Sequence, residues 1–153
     1  MDTTLPSGLL EVQHHQIDQG IEGIVDSTGK PLALAASLAL LREHVYLEEA
    51  VLFPPLAKMG LAMPVSVMQR EHGEIWPMIR SLEVACAAGA TAKTLRKDAN
   101  WLLQRLKVHN TKEEEVVYTA ADRYEAASLD ASLVKAMAAA RMPENWACAM
   151  APH

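Results

Sequence analysis

HVYLEEAVLF, running from His44 to Phe53, decides the reading of this chain, because HNTKEEEVVY repeats its pattern from His109 to Tyr118. Each copy places a histidine four residues before a glutamate. A second glutamate follows, and the copy closes on an apolar pair ending in an aromatic residue. On a helix, residues four apart share a face, one turn above the other. His44 and Glu48 therefore project together, as do His109 and Glu113. Imidazole and carboxylate presented jointly on facing helices is how helix bundles hold a pair of iron or manganese ions. Metal binding is the first hypothesis.

Working outward, turn-rich punctuation divides the chain. Asp26-Ser27-Thr28-Gly29-Lys30-Pro31 reads as a loop, Pro54-Pro55 as an interruption, Met59-Gly60 through Pro64 as a second break, and Ala88-Gly89-Ala90-Thr91 as a third. Four helices are predicted between them: about Ser7 to Val25, Leu32 to Phe53 with a broken extension to Met59, Pro64 to Ala87, and Ala92 to Asp122. Pro64 suits a first helical turn, where its missing N–H costs nothing, and Gly89 suits a C-terminal stop. A shorter fifth helix is predicted at about Leu129 to Ala140, followed by an irregular tail from Pro143 to His153. The expected fold is all-α, an up-down-up-down four-helix bundle with a short C-terminal helix and tail. The expected organisation is one domain over 1–153, with the bundle at about 7–124 and the C-terminal helix and tail at about 128–153.

Each long segment carries an apolar stripe at helical spacing. The stripes run Leu10, His14, Ile17, Ile21, Ile24; Leu34, Leu38, Leu41, His44, Glu48, Leu52; Met68, His72, Ile75, Ile79, Leu82, Cys86; and Leu95, Ala99, Leu102, Leu106, His109, Glu113, Val116. Four histidines and two glutamates thus sit among core residues. Antiparallel packing puts His14 and His44 within about a turn of the same height, since they lie about equally far from the first loop at 1.5 Å per residue. The same count about the third loop aligns His72 with His109.

His15 shares its face with Glu11, Asp18 and Glu22, the solvated side, so His14 is the ligand and His15 the bystander. His153, at the chain end, is expected to be free. Glu49 and Glu114 lie about 100° round from the inward glutamates, which places them beside the ligands or on the surface. Glu71 and Glu74 read as solvated, with Glu71 a weak candidate to support a ligand.

The composition fits. Half of the 153 residues are apolar, aromatics make up only 5%, and alanine and leucine dominate, which favours helices over sheets. The net charge of −5 and the lack of a basic stripe argue against a nucleic-acid partner. No apolar run of the roughly 20 residues needed to span a bilayer is evident, so no membrane association is expected. The opening MDTTLPSG has neither the basic nor the apolar part of a signal peptide. With only Cys86 and Cys148 and no CxxC, a cytoplasmic location is the simplest expectation.

A buried carboxylate without a partner costs several kcal/mol. Two of them beside four imidazoles, with no Lys or Arg in the same stripes, need a cation. The predicted ligands are His14, His44, Glu48, His72, His109 and Glu113. With no thiolate, a structural cysteine–zinc site is disfavoured. Six ligands are too many for one tetrahedral zinc. They suit two octahedral ions bridged by the glutamates, the remaining positions filled by water, hydroxide or oxide. Iron is the first choice, with manganese or zinc as substitutes.

With these residues in view, the chain resembles the hemerythrin family, in its broad HHE cation-binding branch. The likeness rests on the bundle layout and on His14-x-x-Ile17-Asp18, His44-x-x-x-Glu48-Glu49 followed by Leu52-Phe53-Pro54, Glu71-His72-x-x-Ile75, and His109-x-x-x-Glu113-Glu114. It covers roughly Leu9 to Asp122. The resemblance implies a non-haem di-iron centre with both glutamates bridging the irons. Two departures matter. Oxygen-carrying hemerythrins have a further histidine one turn after the third-helix ligand, where this chain has Trp76 followed by Pro77. They also place the last carboxylate, an aspartate, five residues after the fourth-helix histidine, where this chain has Glu113 at four. The lost histidine leaves one ion more open, which favours sensing or redox turnover over stable oxygen carriage. Pro77 is predicted to kink the third helix.

Three functions follow from this reading. One is a di-iron protein that binds or senses oxygen or a related small molecule, or handles iron. Another is a di-iron oxidase or peroxidase, though no separate general base or substrate pocket is evident. The last is a metal-stabilised helical interaction module. Tyr46, Tyr118 and Trp76 are expected to be ordinary packing residues, with a redox or gating role as the alternative. The tail bearing Trp146 and Met150 is expected to cover its own bundle rather than dock a partner.

Overall fold

A computed structural model describes residues 2–129 and 132–152. His153, and Asp130 and Ala131 of the predicted fifth helix, lie outside the described residues. Among the described residues there is no strand. The helices are α1 (Pro6–Val25), α2 (Pro31–Leu47), α3 (Phe53–Leu56), α4 (Ala62–Ala87), α5 (Ala92–Lys112), α6 (Tyr118–Ala127) and α7 (Leu133–Ala139).

Their ends have local causes. Prolines occupy the first turns of α1 and α2, where no N–H partner is lost. Thr91 caps α5 by accepting the Thr94 N–H at 3.3 Å, and Ser132 caps α7 from Lys135 at 3.1 Å. Gly89 ends α4 in the left-handed region at φ 80°, as its position predicts.

The contacts across the bundle run in opposite chain directions on every adjacent pair. Between α1 and α2, His14 meets His44 while Gln16 meets Ser37. Between α2 and α4, Glu49 meets His72 while Arg42 meets Glu83. Between α4 and α5, Glu71 meets His109 while Glu74 meets Arg105. Around the ring, α1 meets the fourth rod from Ser7–Asp122 through His14–Glu114 to Ile24–Arg96. The result is an up-down-up-down four-helix bundle.

Two corrections to the sequence reading concern helix continuity. The helix carrying His44 does not break at Pro54-Pro55. It passes through a π-turn, Glu48–Leu52, and the prolines then sit in the first turn of α3, a position that tolerates them. A matching π-turn, Glu113–Val117, joins α5 to α6. Helix α4 carries Pro77, the residue predicted to kink it, inside a single element.

In both π-turns the backbone bonds five residues back: Phe53 N–H to the Glu48 carbonyl, and Tyr118 N–H to the Glu113 carbonyl. Each turn therefore holds one residue more than an α-turn. The inward face shifts accordingly. Val116, predicted to be buried, is 47% exposed, whereas Val117 and Tyr118 are buried.

The core is split. One apolar cluster includes Ile17, Ile21, Leu38, Leu41, Ile75, Trp76, Ile79, Leu102 and Leu106. The other includes Leu10, Leu52, Phe53, Leu56, Met68, Val117, Tyr118 and Leu133. The predicted ligands fall between them, since Leu10 and Ile17 flank His14 on one stripe and Met68 and Ile75 flank His72 on another. A polar layer is thus sealed on both sides by hydrophobic packing.

The helical run Pro31–Ala87 contains a window with mean hydropathy 1.5, long and apolar enough to cross a bilayer by length and composition alone. In this fold its stripe of Leu34, Leu38, Leu41 and Val45 is buried within the bundle.

The tail lies on its own bundle, as expected. Trp146 meets Trp76 and Tyr46 edge-on at 5.6 and 5.1 Å between ring centroids. A Cβ at Gly73 would overlap the carbonyl of Met150, so only glycine admits the tail this close to α4.

Candidate metal centre

His14, His44, Glu48, His72, His109 and Glu113 are all buried, and the two glutamates have no exposed surface. They form two overlapping groups, His14–His44–Glu48–Glu113 and Glu48–His72–His109–Glu113. The nitrogen and oxygen atoms of each group lie within 4.8 Å of one another. The structure thus brings all six predicted residues into one layer.

The glutamates join the two groups by dividing their oxygens. Glu48 turns Oε2 toward His44 Nε2 at 3.4 Å and Oε1 toward His72 Nε2 at 3.2 Å. Glu113 turns Oε1 toward His14 Nε2 at 3.3 Å and Oε2 toward His109 Nε2 at 3.2 Å. Each carboxylate therefore offers one oxygen to each side, which is the posture of a bridging ligand.

Every imidazole is oriented by a bond on its far side. His14 Nδ1 meets Glu114 Oε1 at 2.9 Å, and His44 Nδ1 meets Gln13 Oε1 at 2.7 Å. His72 Nδ1 meets Glu49 Oε2 at 2.7 Å, and His109 Nδ1 meets Glu71 Oε1 at 2.9 Å. An outward acceptor places a proton on Nδ1 and turns the Nε2 lone pair inward, the usual support for a metal-ligating histidine. Glu49 and Glu114, the second glutamates of the repeat, thus each hold a histidine from another helix. Glu71, read chiefly as solvated, holds His109 and pairs with Lys112. Glu74 is half exposed, as predicted. His15 is exposed, which agrees with its bystander reading.

Two participants escaped the sequence reading. Gln13 was not singled out, although its place directly before His14 matches that of Glu71 before His72. Tyr118 was expected to be a packing residue. Its hydroxyl lies 2.6 Å from Glu48 Oε2 and 3.1 Å from Glu113 Oε1, and 3.0 and 3.2 Å from the Nε2 atoms of His14 and His44. Trp76 packs in the apolar cluster against Trp146 and supplies no donor to the layer.

The layer is electrostatically loaded. Burial opposes charge on His14, but Glu113, Glu48 and Glu114 outweigh it and push its pKa up to about 9. Burial likewise opposes charge on His109, and Glu113, Glu71 and Glu48 raise it to about 10. His72 is raised despite burial, through Glu48 and Glu49. Burial pushes Glu48 up, but His44 and His72 win and hold it well below the ordinary carboxylate value. Burial, then Glu113 and Glu48, drive the Tyr118 phenol well above its ordinary value.

Glu48 Oε1, His72 Nε2 and Glu113 Oε2 are buried without a hydrogen-bond partner. Native proteins rarely leave such atoms orphaned. All three point into the space between the carboxylates and imidazoles, where a cation would satisfy them. The nitrogen and oxygen donors present fit a metal ion of that preference.

Fold and site together define a helical-bundle protein that binds metal cations. The hemerythrin HHE cation binding domain matches residues 5–121, which is most of the chain, and this protein belongs to that family. Comparisons with curated proteins and with solved structures found no match.

Proposed function

We propose that the layer holds two iron ions bridged by Glu48 and Glu113, one against His14 and His44 and the other against His72 and His109. We further propose that the protein binds or senses oxygen or a related small molecule there. The observation that carries the reading is the split of each carboxylate, one oxygen to each histidine pair. Iron bound there would supply redox electrons and a place for oxygen or a related small molecule to bind.

The chain's own residues provide the rest. The four outward acceptors keep each Nε2 lone pair directed at the ions. The two apolar clusters exclude water above and below, and Phe53 stacks on His72 at 5.8 Å between centroids. A cavity of about 410 Å³, lined by Glu71, Ile75, His109 and Lys112 among others, lies against the His109 side. Because His109 lines it, this is the side from which a small molecule would approach the layer.

Metal analysis and near-ultraviolet spectroscopy of protein made in iron-rich medium test this reading. About two irons per chain and the absorption of a bridged diferric pair are expected. A folded protein with no iron overturns it. A di-iron oxidase or peroxidase is the second reading, favoured by Trp76 standing where a further histidine would close one ion. On exposing reduced protein to oxygen, a reversible band supports binding, and irreversible bleaching with peroxide production supports turnover.

A further inference from the structure

The two halves of the layer are not alike. Phe53 and Tyr118 occupy matching places, each five residues after the inward glutamate of its copy and each carried inward by a π-turn. Phe53 stacks on His72, and Tyr118 stacks on His14 at 5.5 Å between centroids. The two differ in one hydroxyl group. Phe53 shows that a ring packs in this position without an oxygen, so the Tyr118 hydroxyl is not needed to fill the space.

That oxygen stands among metal-facing atoms. It lies within 3.2 Å of His14 Nε2, His44 Nε2, Glu48 Oε2 and Glu113 Oε1. Those four are themselves linked by separations of 3.0 Å from His14 to His44, 3.3 Å from His14 to Glu113 and 3.4 Å from His44 to Glu48. Bonds of about 2.1 Å in an octahedral shell put neighbouring donors about 3.0 Å apart. A phenol accepts from imidazoles but has one proton to donate, so ordinary hydrogen bonding serves one of the two facing carboxylates and leaves the other, Glu48 or Glu113, without a bond. Five donors at octahedral edge lengths, with the phenol oxygen adjacent to the other four, are the arrangement of a ligand.

We propose that Tyr118 is a metal ligand: its oxygen binds the ion held by His14 and His44, while the ion held by His72 and His109 has no counterpart. This rests on the di-iron reading of the same layer. On binding, the phenol O–H bond breaks, an iron–oxygen bond forms, and the proton is released to solvent, as for other ligands that must deprotonate. The centre is then asymmetric. The hard anionic oxygen would be supplied on the His14–His44 side, while the cavity lies against His109 on the other.

The test is resonance Raman spectroscopy, with iron analysis, on the full-length ferric protein and on Tyr118→Phe. A phenolate bound to ferric iron gives a visible charge-transfer band whose excitation enhances tyrosinate ring modes. The expected result is such modes in the native protein and their disappearance in Tyr118→Phe, whatever iron the variant retains. The Tyr46→Phe control should keep them. A native protein that carries two irons without tyrosinate modes overturns the proposal and leaves the di-iron reading standing. Modes that persist in Tyr118→Phe also overturn it. A native protein that takes up no iron overturns both.

Discussion

Gln13 Oε1 accepts the Nδ1 proton of His44 at 2.7 Å, the service that Glu71 performs for His109 in the opposite half of the bundle. A neutral amide therefore supports one imidazole of a layer whose other three lean on carboxylates. Losing such an outer partner typically costs 10–100-fold in metal affinity. Gln13→Ala should weaken iron binding by about that factor, read by chelator competition. The helical content of the metal-free protein should stay as it was. An unchanged affinity would mean that packing alone orients His44.

His14 and His15 are neighbours with opposite fates, one buried in the layer and one exposed. His14→Ala should remove iron from the His14–His44 side and lower the content measured per chain, while His15→Ala leaves it unchanged. The reverse result would refute the assignment.

Glu113 is the chief charge partner of both His14 and His109. Removing one member of a buried pair strands the others and costs about 3–5 kcal/mol. Glu113→Ala should therefore destabilise the metal-free protein by that order in urea denaturation. It should also prevent assembly of the iron pair. A loss under about 1 kcal/mol would show that the imidazoles of the metal-free state are neutral.

The metal-free protein should respond to pH in a direction set by its histidines. His14 and His109 hold protons up to about 9 and about 10, against 6.5 when unfolded. Their contribution is complete below pH 6.5 and disappears as pH rises through those folded-state values. The melting temperature of the metal-free protein should therefore fall between pH 6.5 and 10. Iron affinity should rise over the same range, because ligation needs neutral imidazole. A melting temperature that climbs with pH would contradict the buried pairing.

The tail reaches the layer through one chain of contacts: the Ala149 N–H donates to Glu49 Oε1 at 2.9 Å, and Glu49 Oε2 accepts from His72 Nδ1. Gly73→Ala would drive a Cβ into Met150, an overpacking change that costs about 1–3 kcal/mol. The expected outcome is release of residues beyond Pro143, seen as faster proteolysis there and a red shift in tryptophan emission as Trp146 leaves Trp76. Unaltered proteolysis would show that the tail can shift without undocking.

Much of this centre was legible in the chain. Period 3.6 spacing placed His14, His44, His72 and His109 on inward stripes, and the i,i+4 pairs His44–Glu48 and His109–Glu113 needed only α-helical geometry. The four rods and their antiparallel order followed from punctuation at Gly29, Gly60 and Gly89. The outer partners were harder. Glu49 and Glu114 read as either supporting or solvated, and Glu71 chiefly as solvated, because bonds between helices depend on the rotation of each rod about its axis, which periodicity does not set to better than a residue.

The sequence by itself determined an all-α bundle with a buried layer of four imidazoles and two carboxylates, since burial of those stripes leaves the charges nowhere else to go. Only the tertiary structure decided that Tyr118 joins that layer. In an uninterrupted α-helix, residue 118 points about 140° away from residue 113. The π-turn at Glu113–Val117 adds one residue to the winding and swings the phenol back over the glutamate. That same turn moves Val116 out to solvent and Val117 into the core. Its reason is long-range: closing the layer requires Glu113, Val117 and Tyr118 all to face inward, and no single α-helical register allows it.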